Sequence, residues 1–253
     1  MERCAGAWCL RISPCTFKMS ALLFALGALV HGATCATEYI DYRVDLTKQN
    51  LRLYHRGTDR QPLADFESLQ RHVANRGEKL VFATNAGIFM EDLRALGLYI
   101  EEGVTTRKLV TKAQGYGNFY LQPNGVFLLG NEGAMIVETS DYLKIPASSV
   151  RYANQSGPIL LVKGEIPPSI ATLKGMLPRN AVCVIDAKSV HLSFTGNSVT
   201  LSDFASHLKA NGCKDALSLD GAISDVYFPA VGRTEKSGPF GPMFGVSERV
   251  LKQ

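Results

Sequence analysis

Leu98-Tyr99-Ile100, Phe119-Tyr120-Leu121, Val126-Phe127-Leu128-Leu129 and Ala134-Met135-Ile136-Val137 follow one another with glycines and polar residues between them. Apolar runs this short, rich in aromatic and branched side chains and bounded by turn formers, predict strands of a meander or hairpin series rather than repeated strand-helix-strand units. Upstream, residues 39–54 alternate polar and apolar side chains (Tyr42, Val44 and Leu46, then Leu51 and Leu53), which predicts two strands joined around Lys48-Gln49-Asn50 as an opening hairpin. Phe66, Leu69 and Val73 recur at helical spacing, with Asp65 placed as cap and Gly77 just past the end. That helix feeds a strand over 79–84. Downstream, residues 152–162 and 181–184 read as strands, and 192–194 and 199–201 flank a Gly196-Asn197-Ser198 turn that predicts a further hairpin. Ser202 or Asp203 then caps a helix carrying Phe204, Ala205 and Leu208 and ending at Asn211-Gly212. The expected class is α+β: residues 37–253 as a single domain with a large mixed, mostly antiparallel sheet and a few packed helices.

The chain has 253 residues, 46% hydrophobic composition and a net charge of +4. It can bury a sizeable core. Its cations form no run or stripe interleaved with aromatics, which argues against a nucleic-acid partner. Residues 19–30 are an apolar run preceded by Arg3, Arg11 and Lys18 and followed by small residues up to Ala36. This is the pattern of a signal peptide, 1–36, removed after Ala36, and it is too short to span a bilayer comfortably. The expected localisation is therefore exported, periplasmic or secreted, with no stable membrane span after cleavage; a non-cleaved anchor is the alternative. Cys4, Cys9, Cys15 and Cys35 fall in that segment, which leaves Cys183 and Cys213 either to pair or to stand as small buried hydrophobes. The five histidines are scattered singly and no cysteines sit at ligand spacing, so no metal and no other cofactor is expected.

Ala216-Leu217-Ser218-Leu219-Asp220-Gly221 delivers one carboxylate from a buried strand into a glycine turn, followed by the hydroxyl of Ser224. An apolar strand has no use for an Asp unless the carboxylate is aimed at something, the plainer alternative being an Asx-turn. Three further segments place polar groups beside apolar strands: Thr84-Asn85-Ala86-Gly87, Asn154-Gln155-Ser156-Gly157 and Pro178-Arg179-Asn180-Ala181. Glycines let backbone approach a ligand, while carboxamides, hydroxyls and a guanidinium orient it. No nucleophilic His or Cys lies nearby and no Gly-rich phosphate loop occurs.

Taken together and in this order, the segments resemble those of the phosphodiester glycosidase family, which contains the mannose 6-phosphate uncovering enzyme and a bacterial exported branch. The resemblance rests on Asn85-Ala86-Gly87-Ile88-Phe89, on Ser156-Gly157 with Gly164 beyond an apolar stretch, on Arg179-Asn180-Ala181, and on Asp220-Gly221 with Ser224, where Ala222 and Ile223 replace two glycines of the family pattern. The bacterial branch is matched also at 115–127. The resemblance implies hydrolysis of a glycosidic bond to phosphate in a sugar phosphodiester or related glycoconjugate. On physical grounds Arg179 would clamp the phosphate, Asp220 would act as general base or nucleophile at the anomeric carbon, and Asn85 would orient the sugar with Gln155 and Ser224. Ser156, Asn180, Gly87, Gly157 and Gly221 would supply close contacts and shape. Glu101, Glu102 and Asp186 are candidates for a second carboxylate. The replaced glycines keep an alternative open: a non-catalytic envelope or periplasmic module that binds an anionic glycan.

Overall fold

A computed structural model describes residues 37–250 apart from 113, 116, 222 and 236. The expected signal segment, 1–36, and Ala222 lie outside the described residues. The chain starts with β1 (Ile40–Asp45) and β2 (Asn50–Tyr54), then α1 (Phe66–Asn75) and β3 (Glu78–Asn85). β4 (Tyr99–Glu101), β5 (Val104–Arg107), β6 (Gly125–Gly130) and β7 (Gly133–Glu138) follow, with α2 (Thr139–Tyr142) leading to β8 (Val150–Ser156) and β9 (Ile159–Leu161). After α3 (Pro168–Ala171) come β10 (Leu177–Asp186), β11 (Ser189–Val199), α4 (Leu201–Ala210), β12 (Asp215–Ser218), β13 (Val226–Tyr227) and β14 (Met243–Arg249).

These elements form one α+β domain whose strand pairs are antiparallel and divide among three sheets, ordered β1-β11-β10-β12-β9, β13-β3-β14-β2 and β5-β4-β8-β6-β7. The period-two pattern explains the layering. Val182 and Leu192 face a central core shared with Phe82 and Phe244 of the second sheet and Phe127 and Tyr152 of the third. Their neighbours Ala181 and Cys183 face the other way, under Phe204 and Leu208 of α4. α1 closes the second sheet with Phe66, Leu69 and Val73, and its Asp65 carboxylate accepts from Ser68 N at 2.6 Å as the sequence predicts.

Several local expectations give way to tertiary pairing. β1 and β2 form no hairpin: β1 pairs with β11 and β2 with β14. Asp45 captures the connection, its carbonyl accepting from Lys48 N and Gln49 N and its carboxylate from Thr47 N, while Leu46 N bonds Lys188 O, so the chain leaves one sheet for another. Phe119 lies in a 3-10 turn, Asn118–Tyr120, rather than a strand, between Gly117 at φ 95° and Pro123. Gly196-Asn197-Ser198 is a bulge inside β11: Leu177 faces Val199 but Arg179 faces Thr195, so one residue of β10, Pro178, opposes three. Thr200, not Ser202 or Asp203, caps α4, accepting from Asp203 N at 3.0 Å.

Cys183 and Cys213 are joined, tying β10 to the segment after α4 across 30 residues. Closing a loop of that length restricts the unfolded chain by about 3–4 kcal/mol. Urea unfolding of the Cys183→Ala/Cys213→Ala chain should show a loss of that size, and an unchanged midpoint would mean that the bridge contributes nothing.

Candidate active site

The ends of β3, β8 and β10 and the turn after β12 meet where the three sheets converge. Asn180, fully buried on β10, directs its Nδ2 into the second sheet, 2.9 Å from both the carbonyl and Oδ1 of Asn85 and 3.3 Å from Thr84 Oγ1. Its own carbonyl accepts from Leu219 N at 3.0 Å, one residue before Asp220. Ser224 Oγ lies 3.0 Å from Asn180 Oδ1 and also reaches the Asp220 carbonyl. Asn154, buried on β8, donates from Nδ2 to Ala86 O, and Ser156 Oγ donates to Leu219 O at 3.3 Å. Each sheet is thus pinned to another by a side-chain donor on a backbone acceptor that no strand partner satisfies.

Two glycines fit this junction by close approach. A Cβ on Gly87 would stand 2.6 Å from Asn154 Nδ2, and one on Gly221 would stand 2.8 Å from Pro178 O and 3.2 Å from Arg179 Nη1. Gly157 is similar, 2.8 Å from Asn124 Cβ. Arg179 itself is only 2% exposed. Its Nη2 donates to Gly175 O at 2.6 Å and its Nε to Val199 O at 3.2 Å. Among the described residues no carboxylate lies within ion-pair distance of it, and burial lowers its pKa. Asp220 is half-buried at the end of the same turn.

Residues 78–243 match the family described as phosphodiester glycosidase. The chain belongs to that family. It is 27% identical over 210 residues to the uncharacterized protein YigE of Escherichia coli K12, covering 82% of this chain and 81% of that one. Its fold resembles the zebrafish N-acetylglucosamine-1-phosphodiester alpha-N-acetylglucosaminidase catalytic domain, auto-inhibited by its pro-peptide, with a TM-score of 0.51, 16% identity and coverage of 88% of this chain and 86% of that one. A hypothetical protein from Synechocystis is similar at the same TM-score and identity, over 83% of this chain and 59% of its own.

Nine of the ten residues named from sequence for the glycosidase site are brought to the junction or its flanking turns. Gln155 is not: alternation along β8 turns it to the outer face, where Oε1 accepts from Leu98 N and Val110 N and Nε2 donates to Val110 O at 2.7 Å. The same alternation, applied to 154–156, would have selected Asn154 with Ser156, and Asn154 is the residue that sequence reasoning missed.

The candidate second carboxylates lie elsewhere. Asp186 is at the far end of β10, about 20 Å along the strand. Glu102 pairs with Arg76 beside the start of β3. Glu101 accepts from Tyr99 OH at 3.1 Å, and its pKa is raised to about 7, chiefly by burial. Asp225 is nearer the junction: its amide approaches Asn85 Oδ1 at 3.4 Å and its carboxylate accepts from Val226 N at 2.7 Å. Among the described residues no three His, Cys, Asp or Glu side chains converge as a metal site.

Two measurements test this account. Asn180→Ala removes the side-chain donor to the buried Asn85 carbonyl and the shortest bond to its Oδ1, and should cost about 1–3 kcal/mol in urea unfolding; a loss below about 0.5 kcal/mol would show that the junction does not depend on the amide. For Glu101 the native state holds a proton between pH 4.5 and about 7 that the unfolded chain has released, so stability falls as pH rises through that window. Glu101→Gln should therefore gain about 1–3 kcal/mol at pH 8 and nothing at pH 4. An equal effect at both pH values would refute the buried-carboxyl explanation.

Proposed function

We propose that the protein is an exported glycosidase that hydrolyses the bond between a sugar's anomeric carbon and phosphate in a sugar phosphodiester. The observation that carries the reading is Arg179, a buried guanidinium with no carboxylate at ion-pair distance among the described residues, packed against the Asp220-Gly221 turn of a chain in the phosphodiester glycosidase family. A phosphodiester is a monoanion whose two free oxygens match the fork of a guanidinium. With the phosphate held there, Asp220 is the carboxylate placed to take a proton from water or to attack the anomeric carbon. The anomeric carbon–oxygen bond breaks, its electron pair leaves with the phosphate monoester, and water supplies hydroxide to the sugar and, finally, a proton to solvent. The leaving phosphate needs little protonation, which fits a site with one half-buried acid at the turn. Ser224 and the Asn85–Asn180 pair hold the turn, and Gly87 and Gly221 let it pack closely against Asn154 and Pro178. Residues 1–36 would direct export.

The test is hydrolysis of a panel of sugar 1-phosphodiesters by the purified chain from Thr37, with Asp220→Asn and Arg179→Lys alongside and thermal melts of each. Turnover by the parent that falls at least about a hundredfold in Asp220→Asn, without loss of folding, is the expected result. Undiminished turnover in Asp220→Asn would remove that residue from the mechanism. Saturable binding without turnover would favour a glycan-binding module.

A further inference from the structure

Eight large hydrophobic side chains are exposed among the described residues, and three of them, Met176 (60%), Leu177 (41%) and Ile223 (48%), lie on the two segments that meet at Arg179 and Gly221. Scattered apolar side chains on a surface need no explanation, but a cluster at a site does. The first segment, 175–178, is wrapped onto the guanidinium itself: Arg179 Nη2 holds Gly175 O at 2.6 Å, and the Pro178 carbonyl lies against Gly221. Ile223 sits two residues beyond Gly221 and one before Ser224, whose hydroxyl contacts Asn180. Both apolar segments are therefore fixed at the rim of the cation, not hinged away from it.

Resting on the reading of Arg179 as the phosphate clamp, we propose that Met176, Leu177 and Ile223 seat an alkyl chain esterified to the phosphate, so that the substrate is a lipid-linked sugar phosphodiester. The geometry has the polarity of such a molecule. A phosphate on the guanidinium presents one ester oxygen toward the Asp220 turn, where the sugar is cleaved, and leaves the other to run out over exposed apolar surface. The exposed side chains that positions 176, 177 and 223 present at that rim are all apolar, which suits an alkyl chain better than a sugar aglycone. The exposed thioether and branched chains gain free energy only when apolar matter covers them.

Alkyl phosphates report on this rim without requiring turnover or the correct sugar, since they are the leaving half of the diester. Calorimetric titration of the purified chain with ethyl, hexyl and decyl phosphate, below their aggregation thresholds, should show Kd falling at least about tenfold from ethyl to decyl, the return for two buried methylene groups. Met176→Ser, Leu177→Ser and Ile223→Ser together should bring decyl phosphate back to the ethyl value and leave ethyl phosphate unchanged, while Arg179→Lys should weaken all three. A Kd independent of chain length, or a dependence that survives the triple substitution, overturns the proposal. Chain-length-dependent binding by a protein that hydrolyses no diester would refute the hydrolase reading and leave the lipid site standing.

Discussion

The fold depends on how three sheets can end at one place without stranding their backbone. Where β3, β8 and β10 terminate, carbonyls and amides leave their ladders inside a dry core, and each needs a partner that no strand supplies. Short amide and hydroxyl side chains meet that need: Asn180 for Asn85, Asn154 for Ala86, Ser156 for Leu219. These contacts run between sheets, so they fix the angle and register at which the sheets meet. An apolar residue at 180 or 154 would fill the volume and leave a carbonyl without a donor, costing about 1–3 kcal/mol for each group left unmade.

The same constraint makes the junction suited to chemistry. The proposed role of Asp220 needs a backbone that does not move, and its turn is held by the bond from Leu219 N to the Asn180 carbonyl and by Ser224. Rigid polar bracing normally crowds a site, and glycine answers this. Positions 87 and 221 carry no Cβ because one would collide with Asn154 in the first case and with the Pro178 carbonyl in the second. A cavity of about 530 Å³ lies away from this junction, between the β1–β2 connection and the β6–β7 turn.

What could be read from sequence was what is set locally. α1 and α4 have apolar period, caps and glycine stops that agree with one another, and the β6–β7 pair is a hairpin across Asn131-Glu132. What could not be read was pairing. The alternation in 39–54 is shared by any two half-buried strands, and nothing local says that β1 seeks β11, about 150 residues away, in preference to β2. Gly196-Asn197-Ser198 has turn composition, yet β10 on one side holds the strand straight and the surplus becomes a bulge. The site divides the same way. Polar residues at apolar strand ends stood out because burial makes them costly, but choosing between Asn154 and Gln155 required knowing which face of β8 turns inward, and the nearby carboxylate Asp225 is brought in by a chain reversal that leaves no spacing signal.

Arg179 bears most directly on whether the junction is only structural. A guanidinium removed from water without a carboxylate costs several kcal/mol, and two carbonyl acceptors recover only part of that. If bracing were the whole purpose, a neutral donor of similar reach would serve at lower cost, as Asn154 and Asn180 do in the same junction. A cation with no carboxylate partner among the described residues is instead what the proposed anion site requires before its ligand arrives: the desolvation is met during folding, and a phosphate would then meet a donor set already stripped of water and held in place. The proposed role of Arg179 thus rests on the cost of burying it, which bracing alone does not explain.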